Sequence, residues 1–196
     1  MSQLMQRVWK LAMAMVLVAT TLLATGRPAS QMGADPRPDY PAARREIQTF
    51  EVALNDAISE TFNKTPFAVY QKARGAYLPG YGMAFSFMVN IHVAMINTPF
   101  GKYQRPDASP EQKRRQIELL KERLILVLLQ KGDVLNQVPK NETISIIGFF
   151  EDRNFPDEEN QNKTVILSVS RKDLDELGRK EDRLKEFKQR MKIVEY

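Results

Sequence analysis

The sequence predicts an α+β fold in which helices pack against an antiparallel sheet of about four or five strands. Three segments place apolar residues at three- and four-residue spacing, as amphipathic helices do. Other segments alternate large apolar residues with small or polar ones, or are rich in β-branched residues, as strands are. The segments follow one another in the order α-β-β-α-β-β-α, which predicts two or three helices against the sheet.

The first 26 residues have the composition of a secretory signal peptide. Arg7 and Lys10 precede an uncharged, mostly apolar run at 11–26, which is shorter than a membrane-spanning helix. Ala24 and Gly26 are small residues that suit a cleavage site. The sequence therefore predicts export to the periplasm or the cell exterior, with an uncleaved membrane anchor as the alternative. Because the chain contains no cysteine, and hence no disulfide, a bacterial envelope protein is favoured.

A disordered linker and one folded domain are expected after the signal peptide. Residues 27–42 contain four prolines and little apolar surface, as disordered linkers do. A single α+β domain is then expected over residues 43–196. Its first helix is predicted over residues 43–63, where five apolar residues share one face: Ile47, Phe50, Leu54, Ile58 and Phe62.

The stretch YLPGYGMAFSF (77–87) predicts a tight turn that leads into a long strand. Proline and then glycine at Pro79-Gly80 suit the two central positions of a type II turn, with a pairing strand around 70–78. From Tyr81, alternate residues to Ile91 are large and apolar and are expected on the core face. The small residues between them, from Gly82 onward, indicate a close approach by other backbone. A phosphate-binding glycine loop is not favoured, because such a loop precedes a helix.

The segment at 97–109 is predicted to be a long loop and is the best candidate for contact with a partner. It carries Phe100 and Tyr103 as aromatic anchors, with Lys102 and Arg105 as charged neighbours. Aromatic and arginine side chains often contribute most of the energy of a protein interface. A connecting loop without a binding role is the alternative interpretation.

The second half of the chain predicts a helix, two strands and a last helix. Ser109, Pro110 and Gln112 form a capping signature for a helix that ends near Gly132. Two segments rich in β-branched residues, 142–150 and 163–170, predict an antiparallel pair joined by an acidic connection. Ser170 and Asp173 then cap the final helix, which Gly178 is expected to break. Its inner face is predicted to carry five apolar residues: Leu174, Leu177, Leu184, Phe187 and Met191.

The sequence identifies no catalytic, cofactor or metal site. His92 is the one histidine and is interpreted as a structural or surface residue, and cysteine chemistry is excluded by composition. The acidic connection at 151–160 begins with Asp152-x-Asn154, as Ca²⁺ loops do, but then departs from that pattern, so a solvated loop is favoured. Three N-x-T triplets, at Asn63, Asn141 and Asn162, are possible glycosylation acceptors.

The missing catalytic set and the secretion signal favour a binding protein, whereas the mildly basic charge says little about partners. The chain has a net charge of +5. Residues 1–26 contain two basic and no acidic residues, so 27 basic and 24 acidic residues would remain after cleavage. The predicted function is a non-catalytic envelope protein that binds a protein partner or an acidic envelope component, without nucleic acid. A carboxylate-dependent hydrolase of an envelope polymer is the alternative. A flat apolar or basic patch would favour binding, and a cleft with two carboxylates of raised pKa would favour hydrolysis.

Overall fold

A computed structural model of the chain describes residues 39–63, 68–92, 95–98, 101–104, 109–152 and 162–196. The predicted signal peptide and most of the predicted linker lie outside these residues. Within them, no helix combines the length and the apolar character that a membrane span requires.

Helix α1 spans Tyr40–Thr61 and begins three residues before the predicted start of the domain. The side chain of Asp39 accepts a hydrogen bond from the backbone N–H of Ala42 at 3.1 Å and so caps the first turn. The predicted apolar stripe is buried, and Phe50 and Leu54 are fully enclosed. The periodicity of the sequence therefore identified the inner face of this helix.

Strands β1 (Val69–Leu78) and β2 (Gly82–Asn90) form the predicted hairpin. The N–H of Tyr81 donates to the carbonyl oxygen of Leu78 at 3.0 Å, and Gly80 has a φ of +80°. These are the features of a type II turn centred on Pro79-Gly80, so the turn prediction is confirmed.

The core face of β2 is also as predicted, with one exception at its start. Met83, Phe85 and Phe87 are buried. Tyr81 was expected to join them, but its side chain is 44% exposed and its hydroxyl lies 2.7 Å from that of Ser145. The alternation begins only after Gly82, whose positive φ of +124° breaks the regular strand geometry.

A second, two-stranded sheet replaces part of the predicted loop at 97–109. Strands β3 (Met95–Thr98) and β4 (Gly101–Gln104) pair in antiparallel register, with Ile96 opposite Tyr103 and Asn97 opposite Lys102. The strands are only four residues long and lack a clear alternation, so their propensity alone did not separate them from a loop.

Helix α2 spans Pro110–Lys131 and starts at the predicted cap, where the Ser109 hydroxyl accepts from the N–H of Gln112. Its last turns are buried on most sides, as expected. The helix does not end in a left-handed glycine, because Gly132 keeps a right-handed conformation and continues into a short 3-10 turn, Gly132–Val134.

Strands β5 (Thr143–Glu151) and β6 (Lys163–Ser170) form the predicted antiparallel pair. The five-stranded sheet has the order β1-β2-β5-β6-β7. The predicted α+β class and the approximate order of elements are confirmed, but the sheet is mixed and not antiparallel throughout, because β2 and β5 are parallel neighbours. The 22-residue helix α2 returns the chain to the starting end of β2, and such a crossover makes the next adjacent strand parallel.

The final segment contains two helices and a strand. Helix α3 (Arg171–Leu177) ends at Gly178, and α4 (Leu184–Arg190) follows a 3-10 turn, so the predicted break at Gly178 is confirmed. Strand β7 (Lys192–Glu195) was not predicted. Two apolar residues, Ile193 and Val194, are too short a run to indicate a strand without its neighbour β6.

The four described helices and one face of the sheet share a single core. Phe85 of β2, Ile146 of β5 and Leu167 of β6 pack with apolar residues of all four helices. The alternate residues of the same strands, such as Met88 and Ile147, take no part in that core. The sheet is therefore covered by helices on one face only, within the described part of the chain.

Candidate functional site

The structure places only part of the predicted partner-binding set. Lys102 and Tyr103 lie in β4, opposite Asn97 and Ile96 of β3. Phe100 and Arg105 lie outside the described residues. The binding role of these four residues stays a prediction.

The face of the sheet turned away from the helices is a candidate binding surface, and we call it the open face. It is formed by alternate residues of all five strands: Gln71, Arg74 and Ala76 of β1; Ala84, Ser86 and Met88 of β2; Ser145, Ile147 and Phe149 of β5; Thr164, Ile166 and Ser168 of β6; and Val194 of β7. Most of these side chains are partly exposed, and Phe149 is 39% exposed. At its centre the surface is apolar, and several of its side chains are small.

A row of hydroxyl groups crosses one end of the open face. The Tyr81 and Ser145 hydroxyl oxygens are 2.7 Å apart, and those of Ser145 and Ser168 are also 2.7 Å apart. Each hydroxyl can donate to one neighbour and accept from another, so the row connects the β1–β2 turn to β5 and β6. The hydroxyl groups at this end of the open face are therefore held in position by hydrogen bonds within the chain.

Charged residues stand at the margins of the open face. Arg74 of β1 lies opposite Ser86 of this face and is exposed. Glu151 ends β5 and Lys192 begins β7, and both are exposed. By strand alternation both belong to the side of the sheet that forms the open face. The centre of the face carries no charged residue, so it is neither an acidic nor a basic patch.

A buried charged cluster lies at the carboxyl ends of the parallel strands β2 and β5. The ammonium group of Lys113, in the first turn of α2, lies 3.0 and 3.2 Å from the two carboxylate oxygens of Asp152. Nδ1 of His92 lies 3.6 Å from the same carboxylate, and all three side chains are almost fully buried. His92 is thus buried, as a structural histidine would be, whereas Asp152 is not the solvated residue that the acidic connection was expected to provide.

Two further buried carboxylates hold the hairpin in place. Glu142 accepts from the Tyr77 hydroxyl at 2.9 Å and from the N–H of Gly80 at 2.9 Å. Glu51 of α1 accepts from the N–H of Gly75 at 2.8 Å and from Arg74 at 3.2 Å. These hydrogen bonds satisfy the carboxylates and tie α1 and β5 to β1.

Carboxyl groups on the helix side of the molecule titrate below their usual range. The Ser170 hydroxyl, and then Arg190, lower the pKa of Asp173. The ammonium groups of Lys121 and Lys163 lower the pKa of Glu195. A general acid in glycoside hydrolysis requires the opposite direction, a raised pKa.

Neither the buried charged cluster nor the hydroxyl row was predicted, but the sequence contained a signal for Lys113 of the cluster. Lys113 precedes Ile117, Leu120 and Leu124 at helical spacing, which places it on the buried stripe of α2. A lysine in phase with an apolar stripe predicts a buried partner. The hydroxyl row had no such signal, because it depends on the pairing of β2, β5 and β6.

Comparison with known proteins gives little further information. The chain matches no protein-family model and no curated protein sequence. It is similar to the crystal structure of a sex pheromone precursor from Lactobacillus salivarius subsp. salivarius UCC118, at 14% sequence identity and a TM-score of 0.27. The match covers 50% of this chain and 28% of that one.

Proposed function

We propose that this chain is an exported, non-catalytic envelope protein that binds a protein partner through the open face of its sheet. The observation that carries the proposal is the sheet with helices on one side and partly exposed Met88, Ile147, Phe149 and Ile166 on the other. Contiguous apolar surface rimmed by polar residues is typical of protein interaction sites.

The charge pattern favours a protein partner over an acidic envelope component. An acidic polymer requires a basic surface, since its affinity comes from charge pairing. The margins of the open face carry Glu151, Lys192 and Arg74, whose guanidinium pairs with Glu51 of α1 at 3.2 Å, and its centre is uncharged. An apolar centre with a polar rim suits the surface of another protein.

The contacts of the buried carboxylates favour binding over hydrolysis. Glu51, Glu142 and Asp152 are each engaged by donors of their own chain. These donors connect secondary-structure elements, which gives each carboxylate a structural role.

The proposal of export rests on the first 26 residues alone. Arg7, Lys10, the apolar run at 11–26 and the small residues that end it are the parts of a secretory signal. The intact mass of the protein recovered from cells tests cleavage. A mature chain that still contains Trp9 contradicts it.

Site-specific photo-cross-linking in the producing cell tests the binding surface. A photoreactive phenylalanine analogue replaces Phe149 or Ile166 on the open face, and Val52 or Leu119 on the helix layer serves as the control. Val52 is 61% exposed, so its side chain is at least as accessible as that of Phe149. We expect adducts of the same mass from both open-face positions and none from the helix layer. Adducts formed only from Val52 or Leu119, or only from Lys102 and Tyr103 of β4, would contradict the assignment.

A further inference from the structure

The two edges of the five-stranded sheet differ in how their backbone groups are satisfied. At the β1 edge, the amide of Asn55 accepts from the N–H of Ala73 at 2.8 Å and donates to its carbonyl oxygen at 3.3 Å. Glu51 accepts from the N–H of Gly75 on the same edge. Helix α1 therefore occupies the positions at which another strand would pair.

The β7 edge has no such cover in the described residues. The N–H groups and carbonyl oxygens of Thr164 and Tyr196 bond to each other, so this pair forms a closely hydrogen-bonded ring. Because such rings recur at every second residue of an antiparallel pair, Val194 and Lys192 also point their backbone groups at β6. The N–H and carbonyl groups of Ile193 and Glu195 therefore point away from the sheet.

The side chains of β7 leave this edge accessible. Ile193 is 40% exposed and Tyr196 is 74% exposed. The charge of Glu195 could disfavour strand pairing at this edge. Its carboxylate is instead held at the helix side by Lys121 at 2.7 Å and Lys163 at 2.9 Å. One edge is thus blocked by side chains, whereas the other presents backbone donors and acceptors beside apolar surface.

We propose that a second copy of this chain pairs with β7, in antiparallel orientation about a two-fold axis. Only residues whose backbone N–H and carbonyl groups point outward can form hydrogen bonds with the second copy. Ile193 and Glu195 must therefore each lie opposite Ile193 or Glu195 of that copy. Pairing Glu195 with itself would place two carboxylates opposite each other, which is unfavourable. Pairing Ile193 with Glu195 of the second copy uses all four outward-pointing residues of the pair and forms four backbone hydrogen bonds.

This register makes the interface self-complementary. Val194 lies opposite Val194 of the second copy on the open-face side, and Lys192 lies opposite the ring of Tyr196, an arrangement suited to a cation–π contact. The two sheets become one continuous sheet of ten strands. Such short strands bury less than the roughly 1,200 Å² of a stable interface, so the dimer is weak and depends on concentration.

Single cysteine variants test the register, because the native chain has no cysteine to interfere. Val194 lies on the axis at a non-hydrogen-bonded position, where the two Cα atoms are about 4.5 Å apart, within the range that a disulfide spans. We expect V194C to form a disulfide-linked dimer under mild oxidation. K192C is the control, because position 192 lies on the same side of β7 but about four residues along the strand from position 192 of the second copy. We expect K192C to stay monomeric. Equal cross-linking of the two variants, or none of V194C, would overturn the proposal.

Analytical ultracentrifugation of the native chain and of I193P gives an independent test. The N–H of Ile193 points away from β6, so proline there removes two of the four interface hydrogen bonds and no bond within the sheet. We expect a concentration-dependent dimer that weakens by about tenfold or more in I193P. If the native chain is monomeric up to about 0.5 mM, far above the range of weak specific dimers, the proposal is wrong. If I193P unfolds, V194K replaces it, since like charges at the axis also separate the copies, and a V194K dimer of native affinity overturns the proposal.

Discussion

Gly80 and Gly82 stand two positions apart in one turn, yet the structure requires glycine at each for a different reason. Both have positive φ, +80° and +124°. A Cβ atom on Gly80 would meet nothing within 4 Å, whereas one on Gly82 would overlap the backbone of Thr143 at the start of β5. Gly80 is therefore constrained by its conformation alone, and Gly82 also by the close approach of the parallel strand.

This difference predicts unequal losses of stability. G80A is expected to lower the free energy of unfolding by about 1–2 kcal/mol, the usual cost of a left-handed alanine. G82A is expected to cost at least about 2 kcal/mol more, because the clash with the Thr143 backbone requires β2 and β5 to separate. Urea unfolding of the two variants measures both values. Equal losses would contradict the close approach of β5 to Gly82.

A second prediction at the residue scale concerns pH. The hydrogen bond from Ser170, with the charge of Arg190, holds the pKa of Asp173 below its usual range. A carboxyl group with a lowered pKa in the folded state contributes stability above its unfolded pKa of about 3.9. That contribution is lost as the pH falls through the lower, folded pKa. D173N is therefore expected to be less stable than the native chain at pH 7 and to approach its stability as the pH falls through the lowered pKa of Asp173. A stability difference that stays constant from pH 7 to pH 2 in urea titrations would contradict this cause.

At the scale of elements, helix α1 does more than cover the core. Its Asn55 side chain bonds to both backbone groups of Ala73, a fully buried residue of the edge strand β1. N55A is expected to lower the free energy of unfolding by about 1–3 kcal/mol, because it leaves a buried donor and acceptor unsatisfied. D56A, at the exposed neighbouring position, is the control and is expected to change stability by less than about 0.5 kcal/mol. Chemical unfolding measures both losses of stability. Equal losses for the two substitutions would show that the backbone groups of Ala73 do not depend on Asn55 for their hydrogen bonds.

The elements that the sequence predicted correctly are those with long local patterns. The stripe of α1, the Ser109 cap of α2 and the Pro79-Gly80 turn depend on neighbours in the chain, and the structure confirms them. The parallel pairing of β2 with β5 and the strand β7 depend on distant segments, and the sequence did not indicate them. The sequence could not indicate the open face for the same reason, since that face exists only once the five strands are aligned.

At the scale of the whole molecule, the sheet divides the described chain into a helix-covered side and an open side. The helix-covered side contains the large apolar residues, including Phe85 and Ile146, and gives the fold its stability. The open side contains Phe149, Ile147 and Ile166, which take no part in that core. Burying such a surface against another protein would gain the hydrophobic stabilisation that the isolated chain leaves unused.

Reactivity of a cysteine placed at Phe149 tests this account most directly. F149C on the open face and V52C on α1 are compared for their rate of reaction with a membrane-permeant maleimide, first in the purified protein and then in the producing cells. The account predicts similar rates in the purified protein, because both positions are exposed. In cells it predicts protection of F149C, by about tenfold or more relative to V52C, because the partner covers the open face. Equal reactivity of the two cysteines in cells would contradict the proposed binding surface. Slow labelling of purified F149C would show that the chain covers this face itself.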